Sequence, residues 1–433
     1  MYFRMVKLRL PSNAASMKNK SWWSVALFYA VAIFVFPSTI RAGDDVSQQF
    51  ILLNRKPGGG WGKGQPQPLS PEEFSEIKKA LPDVPGAQVR VGIGFIFSYF
   101  RSTNDAMLLG SLRRVLELSE ETDTPILIQL DGEQWWDSRP DLWNWWNPSL
   151  PGFDPANREN VEWAGWTSDD ALKIAWRNWG RQLRVLPPPN LMSPRYRKAC
   201  HAKMELMIPV IMKWFKNLPE AKKDLLVGVK VGWESSIGVN AWYYPNGNQL
   251  LDKPASDDPK SGVNGQEPLA RGVAQIGFAA VKTSGIRKKG EITEADLANV
   301  VQRHLDDLSR KASQLGVPRE KLFTHGVGWK DGELLYQTAV NQYSCPGWSF
   351  YKHAADPAKD IGVQAALKKS DAPFWAATEW LFQGGGEQWR PALEKTLADK
   401  RCRYVCIYNW DGIQNNGAAL EAIQQIVSAS ASK

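Results

Sequence analysis

Short runs of apolar, mostly β-branched residues alternate along this chain with longer amphipathic stretches. One apolar run, residues 225–233, is followed by the single carboxylate Glu234 and then by small residues. Its apolar character on both faces is typical of a strand in a parallel sheet that helices cover. A second run of the same design begins at Pro373 and ends at Glu379. Parallel α/β folds carry their chemistry at the C-terminal ends of such strands, so both glutamates are candidate site residues.

The hydrophobic pattern predicts eight strands, most of them separated by helical stretches. The predicted strands are residues 88–97, 125–131, 172–178, 225–233, 322–329, 345–351, 373–379 and 403–410. Helical periodicity is found at residues 104–121, 194–218, 293–314, 358–369, 389–399 and 417–428. This alternation predicts the α/β class, as a single (β/α)8 (TIM) barrel with long loop insertions after the second and fourth strands. No linker or internal repeat divides the chain, so one domain is expected over residues 43–433.

The N-terminus has the pattern of an export signal. A 16-residue apolar run at 22–37 follows Lys18 and Lys20 and precedes a cleavage-like Ile40-Arg41-Ala42. A membrane span needs roughly 20 such residues, so we predict a signal peptide over residues 1–42, with an uncleaved anchor as the alternative. The protein is therefore expected to be exported (periplasmic, secreted or cell-surface), with membrane contact only through an uncleaved signal.

Charge gives no reason to expect a nucleic-acid partner. The net charge is +8, but residues 1–42 hold six basic residues and no acidic one, so the remaining chain has a net charge of +2. The sequence pI of about 9.1 is mostly due to the predicted signal. A neutral partner is expected, and the sequence leaves the oligomeric state open.

In the predicted strand count, Glu234 ends the fourth strand and Glu379 ends the seventh. With the short motifs Gly232-Trp233-Glu234, Thr378-Glu379-Trp380 and Asn409-Trp410, the chain resembles the clan A (β/α)8 retaining glycoside hydrolases. These enzymes place an acid/base glutamate after strand four and a nucleophilic glutamate after strand seven. The resemblance extends from about residue 88 to residue 428 and identifies no individual family. It implies Glu234 as acid/base and Glu379 as nucleophile in the double-displacement cleavage of a neutral glycan or glycoside.

One position departs from that pattern. Most clan A members have asparagine directly before the acid/base glutamate, where it holds the 2-hydroxyl of the sugar, and this chain has Trp233. Asn178 and Asn240 are candidates to take that role. The departure keeps a rival hypothesis open, in which a barrel binds glycans without cleaving them.

Tryptophan is abundant, with 21 residues, nine of them between Trp135 and Trp179. Indole rings stack on the apolar C–H faces of sugars, so a sugar-binding rim is expected. The candidate substrate-binding tryptophans are Trp135, Trp136, Trp380 and Trp410. For those in the long loop at residues 132–170, the alternative is a small hydrophobic core.

Other polar side chains near predicted strand ends are weaker candidates for substrate binding. They are Asp131, Glu133, Tyr243, His325 and Asn409. Asp131 and Glu133 have three open alternatives: binding hydroxyls, replacing a catalytic partner, or holding calcium. The four histidines show no paired-ligand spacing, so neither a metal nor another cofactor is expected.

Overall fold

The computed structural model describes residues 48–57, 69–102, 104–133, 135–178, 182–238, 241–242, 274–327 and 334–431. Side chains at 176–178, 182–185 and 241–242 are not described. Eight parallel strands close into a barrel, in which the first strand pairs with both the second and the last. The predicted TIM barrel is therefore confirmed.

The strands follow one another around the barrel in chain order. They are β1 (Gln49–Arg55), β2 (Val89–Ser98), β3 (Ile126–Asp131), β4 (Leu226–Ser235), β5 (Leu322–Gly326), β6 (Gly347–Phe350), β7 (Trp375–Trp380) and β8 (Cys402–Ile407).

Helices cover the outside of the barrel and also occur in its loops. They are α1 (Glu72–Ala80), α2 (Asp105–Glu121), α3 (Pro140–Trp143), α4 (Pro194–Asn217), α5 (Phe278–Thr283), α6 (Glu294–Gln314), α7 (Ile361–Lys369), α8 (Trp389–Leu397), α9 (Trp410–Ile413) and α10 (Gly417–Ala431). After β5, the connection contains a 3-10 segment, Leu334–Ala339.

The core has two parts because each strand is buried on both faces. A large cluster lies between the strands and the helices, and a smaller one is formed by side chains of six strands and neighbouring residues inside the barrel. The inner cluster includes Phe50, Leu127, Phe323 and Tyr404. The continuous apolar runs in the sequence reflect this double burial.

Two errors in the predicted strand count cancel each other. The first barrel strand, β1 (Gln49–Arg55), is absent from the prediction, and the predicted third strand at 172–178 is not part of the barrel. Its C-terminal part forms Ala175–Asn178, the middle strand of a separate antiparallel sheet with Gln182–Val185 and Ala241–Trp242. Glu234 and Glu379 consequently do lie on the fourth and seventh strands.

The same correction moves the first long insertion. The tryptophan-rich loop follows β3 instead of the second strand, and the other insertion follows β4 as predicted. A partly buried hydrogen bond joins these two insertions: Asn190 Nδ2 donates to Thr283 Oγ1 over 3.0 Å. Both insertions follow the C-terminal ends of strands, where they can shape a site.

No helix within the described ranges is long and apolar enough to cross a membrane. The predicted signal at residues 1–42 lies outside the described residues. Export of the protein and cleavage of the signal peptide therefore remain predictions.

Candidate active site

The two glutamates predicted from strand ends face one another. Glu234 lies near the C-terminal end of β4, and Glu379 lies near that of β7. One carboxylate oxygen from each lies within 4.8 Å of the other and of a ring nitrogen of His325. Glu234 is 4% exposed and Glu379 is 6% exposed. The pair is thus close and nearly removed from water.

Both glutamates occur where the barrel register is interrupted. Between β4 and β5 the pairing shifts after Val231 and resumes at Ser235, and Gly232 (φ 79°) and Glu234 (φ 46°) adopt left-handed backbone conformations. The pairing of β7 with β6 shifts between Ala377 and Glu379. Such bulges redirect side chains next to sites, and here they accompany both carboxyl groups.

Glu133 supports the distorted end of β4. Its Oε1 accepts hydrogen bonds from the backbone N–H of Trp233 (3.2 Å) and from Ser235 Oγ (2.6 Å), and it lies 3.1 Å from His304 Nε2. Glu133 is only 6% exposed. Its contacts therefore hold the backbone before Glu234 and the side chain of the residue after it.

Two hydroxyl groups from β6 and the residue after it contact the carboxyl pair. Ser349 Oγ donates to Glu234 Oε1 over 2.8 Å. The phenol oxygen of Tyr351 lies 2.5 Å from Glu234 Oε1 and 2.7 Å from Glu379 Oε1. Sequence reasoning missed both residues. Their position at the C-terminal end of the predicted strand at 345–351 could have identified them as candidates.

The environment favours a shared proton in this pair. Burial, together with the neighbouring carboxyl group of Glu234, raises the pKa of Glu379 to about 8, against the opposing influence of Tyr351 and Lys230. A phenol carries one proton and donates to only one carboxyl group at a time. Tyr351 therefore donates to one carboxyl group, and the other carboxyl group, when protonated, donates to the phenol oxygen. Two buried carboxyl groups so close together hold one proton between them near neutral pH.

A buried lysine and histidine lie beside the pair, and the lysine was not predicted. Lys230 Nζ is 2.7 Å from His325 Nδ1, and His325 Nε2 is 2.8 Å from Ser349 Oγ. Both side chains are fully buried. Trp233 covers the lysine, with Nζ 3.6 Å from the ring centroid, and its ring also meets His325 edge-on. The residue in the usual asparagine position therefore packs on this cation.

The donor atoms of Glu234, His325 and Glu379 are close enough to suggest a cation site. Both ring nitrogens of His325 already have hydrogen-bond partners, Lys230 and Ser349. The ammonium group of Lys230 also repels a bound cation in this region of low dielectric constant. The arrangement thus fits a carboxyl pair better than a metal centre, and the expectation of no cofactor remains a prediction.

The predicted tryptophans occupy different environments. Trp135 is partly exposed, and its ring has Arg101 Cζ at 4.5 Å and Lys56 Nζ at 5.1 Å. Trp410 is 3% exposed at the start of α9, and its indole N–H has no hydrogen-bond partner within the described ranges. The ring of Trp135 is therefore partly open to a ligand, whereas Trp410 is almost entirely buried.

Trp136 and Trp380 have their polar groups satisfied inside the protein. Trp136 donates to the carbonyl of Pro187 (3.2 Å) and packs edge-on against Tyr196. Trp380 is fully buried, donates to the carbonyl of Ala354 (2.8 Å), and packs among other aromatic rings. Their surroundings give both a packing role, which agrees with the small-core alternative for Trp136.

Two other predicted polar residues, Asp131 and Asn409, have hydrogen-bond partners inside the protein. Asp131 is buried, accepts hydrogen bonds from Ser98 Oγ (2.9 Å) and from the Glu133 backbone N–H (3.0 Å), and acts electrostatically on Lys230. Asn409 caps α9 by accepting from the Gly412 N–H over 2.9 Å. The side chain of Asn178, and the whole of Asn240 and Tyr243, lie outside the described residues.

Comparisons with known proteins identify no family for this chain. No family model and no curated protein matches it. Among solved structures, it is similar to a GH5-4 broad specificity endoglucanase from an uncultured bacterium, with 11% identity, 88% of this chain and 95% of that chain covered, and a TM-score of 0.45. It is also similar to the catalytic domain of a beta-amylase from Paenibacillus polymyxa, with 10% identity, coverage of 89% and 99%, and a TM-score of 0.47.

A third similar structure is PbGH5A, a glycoside hydrolase family 5 enzyme from Prevotella bryantii B14. It shares 10% identity, with 87% of this chain and 96% of that chain covered, and a TM-score of 0.42. Similarities of this size carry no argument about function. The assignment of the fold rests on the strand pairing of the barrel itself.

Proposed function

We propose that this protein is an exported glycoside hydrolase that cleaves a neutral glycan or glycoside with retention of configuration. The observation that carries the proposal is the pair of carboxyl groups at the ends of β4 and β7, with oxygens within 4.8 Å. Retaining glycosidases place their carboxyl groups roughly 5–5.5 Å apart, whereas inverting enzymes need about 6.5–9.5 Å. The observed separation favours the retaining geometry.

In the proposed first step, Glu379 attacks the anomeric carbon and the bond to the leaving oxygen breaks. Glu379 Oε2 is buried and accepts no hydrogen bond from the described residues, so its lone pairs are available for this attack. Glu234 gives its proton to the leaving oxygen, and the glycosyl group becomes an ester of Glu379. In the second step, Glu234 takes a proton from water, which then attacks the glycosyl carbon and releases Glu379.

This mechanism needs one proton on the pair, located on Glu234 when substrate is bound. The raised pKa of Glu379, to about 8, places a proton in the empty site at neutral pH. Tyr351 contacts both Oε1 atoms and stabilises the ionised member of the pair by donating its hydroxyl proton to it. Substrate binding next to Glu379 Oε2 then favours the ionised nucleophile.

The substrate class is inferred from the surface of the site. Trp135, in the loop after β3, supplies a partly exposed indole ring suited to the face of a sugar. The predicted signal at residues 1–42 would export the protein, so its substrate would be a glycan outside the cytoplasm. A substrate screen would identify the sugar, its linkage and the anomer that is cleaved.

The test is to assay the wild type, Glu379→Ala and Glu234→Gln on a panel of α- and β-aryl glycosides and polysaccharides. Glu234→Gln should lose about 10²–10⁴-fold in kcat, the usual size of a general acid–base contribution. Glu379→Ala, which removes the nucleophile, should lose at least as much. The exposed Glu387→Gln is the matched control and should keep wild-type activity. NMR of the first-formed anomer should show retention.

Two outcomes would overturn the proposal. Full activity in both variants would remove the pair from the chemistry. Tight glycan binding by a wild type that turns over no substrate, unchanged in Glu379→Ala, would instead establish the rival glycan-binding barrel.

A further inference from the structure

We infer that Lys230 is a positioning residue for the acid/base Glu234, to which it is connected by a chain of hydrogen bonds through His325 and Ser349. This inference rests on the proposed glycoside hydrolase function. It gives a reason for a fully buried cation in the centre of the barrel, whose charge also acts on Glu379.

Lys230 determines which group donates in each hydrogen bond of the series that leads to Glu234. The ammonium group of Lys230 only donates, so Nδ1 of His325, 2.7 Å away, must accept. Burial and the Lys230 charge hold the pKa of His325 well below its ordinary value, so the ring is neutral. Its proton is therefore on Nε2, which donates to Ser349 Oγ over 2.8 Å. The Ser349 hydroxyl is then directed to donate to Glu234 Oε1.

This direction determines which oxygen of Glu234 can carry a proton. Oε1 accepts from Ser349 at 2.8 Å and lies 2.5 Å from the Tyr351 hydroxyl. A carboxyl oxygen already held as an acceptor is the less favourable place for the acidic proton. The proton of Glu234 is thereby assigned to Oε2, and the carboxyl group is prevented from rotating.

Lys230 also acts through its charge. Titratable groups reach it from several elements: Asp131 on β3, Glu234 on its own strand, His325 on β5, Glu379 on β7 and Cys406 on β8. Burial lowers the pKa of Lys230 to about 8, which still leaves it mostly charged at neutral pH. Its charge opposes the rise in the pKa of Glu379. Removing it should therefore raise both pKa values of the carboxyl pair.

A merely structural lysine makes different predictions. Taking an ammonium group out of water is costly, and well-packed apolar residues often replace buried ionic groups without loss of stability. If Lys230 only filled space under Trp233, Lys230→Met would preserve the pH dependence of the reaction. The decisive measurements are therefore pH profiles and the protonation of His325, in addition to rates.

The experiment compares Lys230→Met, Lys230→Arg and Ser349→Ala with the wild type and with the exposed control Lys359→Met. In Lys230→Met, both limbs of the pH profile of kcat/KM should move to higher pH by about 1 unit, as expected for loss of a nearby opposite charge. Lys230→Arg should restore most of the wild-type profile. Ser349→Ala keeps the charge but breaks the chain, so it should lower kcat with little change in KM and without that shift.

Nitrogen-15 NMR of His325 gives a readout that does not depend on turnover. The wild type should show a neutral ring with the proton on Nε2, and Lys230→Met should lose this preference. Unshifted pH limbs in a folded and active Lys230→Met, or an Nδ1–H ring in the wild type, would overturn the inference. If Lys230→Met does not fold, Ser349→Ala and the wild-type spectrum still decide it.

The outcomes separate the inference from the function on which it rests. An inactive wild type with the Nε2–H ring means that the proposed function fails while the hydrogen-bond chain exists. An active wild type with an Nδ1–H ring means that the hydrolase stands and Lys230 has no positioning role.

Discussion

Glu379 combines deep burial with a neighbouring carboxyl group, and this affects stability as well as chemistry. Its pKa is about 8 in the folded protein, compared with an ordinary value of 4.5. Between these values the folded state binds more protons than the unfolded state, so stability falls as pH rises from about 5 to 8. The residue proposed as nucleophile is thus a source of instability at alkaline pH.

We therefore expect Glu379→Gln to be more stable than the wild type at pH 8, with a smaller difference at pH 5. Each unit of pKa difference corresponds to about 1.4 kcal/mol, so the gain should grow by at least about 1.4 kcal/mol across this range. Urea unfolding at several pH values measures it. Glu387→Gln, at an exposed position, should follow the wild type at every pH, and a parallel course for Glu379→Gln would contradict the prediction.

Trp233 illustrates how one residue changes meaning once its contacts are known. In the sequence it marks a departure from the usual asparagine before the acid/base glutamate. In the structure its ring lies over Lys230 and beside His325, and its backbone N–H binds Glu133. The tryptophan at this position is therefore accompanied by the fully buried Lys230, a residue type that is rarely found in the interior of a strand.

At the scale of the element, the end of β4 is shaped by its bulge. Gly232 has a φ of 79°, and a Cβ placed there would lie 2.6 Å from Leu305 Cδ2 and 2.8 Å from Ser235 Oγ. Both a left-handed backbone and a close approach thus require glycine at this position. The bulge depends on Gly232 together with the bonds that Glu133 accepts.

Gly232→Ala should both destabilise the protein and lower its activity, because the bulge carries Glu234. Gly285→Ala is a matched control, since Gly285 has a similar φ of 74° but no atom within 4 Å of its Cβ position. The control should lose about 1–2 kcal/mol, the cost of the left-handed conformation. Gly232→Ala should lose about 1–3 kcal/mol more, the cost of overpacking. Urea unfolding and kcat/KM measure both effects, and equal losses would show that the contacts at Gly232 are unimportant.

At the scale of the whole molecule, β1 closes the barrel between β2 and β8. Gln49 begins this strand and is 2% exposed. Its Nε2 donates to the carbonyls of Leu397 and Cys402, each over 3.0 Å, which ties β1 to the chain before and within β8. One amide group thus joins parts of the chain that are about 350 residues apart.

We expect Gln49→Ala to reduce the free energy of unfolding by about 1–3 kcal/mol, because it leaves buried carbonyl groups without donors. The midpoint of urea unfolding should fall with an unchanged slope. Gln425→Ala, on the exposed side of α10, is the control and should stay within about 0.5 kcal/mol of the wild type. A midpoint for Gln49→Ala equal to that of the control would show that the closing bonds add nothing.

The sequence by itself determined the class of fold and the two central carboxyl groups. Apolar runs that alternate with amphipathic stretches are a local signal, because each strand is buried on both faces and each helix on one. Glu234 and Glu379 follow such runs directly, so their position at strand ends needed no tertiary information. The cancelling errors at Gln49–Arg55 and residues 172–178 left their strand numbers correct.

Only the tertiary structure decided which runs form the barrel and which side chains meet inside it. A short apolar run has the same local pattern in the barrel as in the small antiparallel sheet, since both bury a strand. Lys230 is 95 residues from His325, and Glu234 is 115 residues from Ser349 and 117 from Tyr351. Closure of the barrel brings these side chains into contact, and long-range contact of this kind leaves no periodic trace in a sequence.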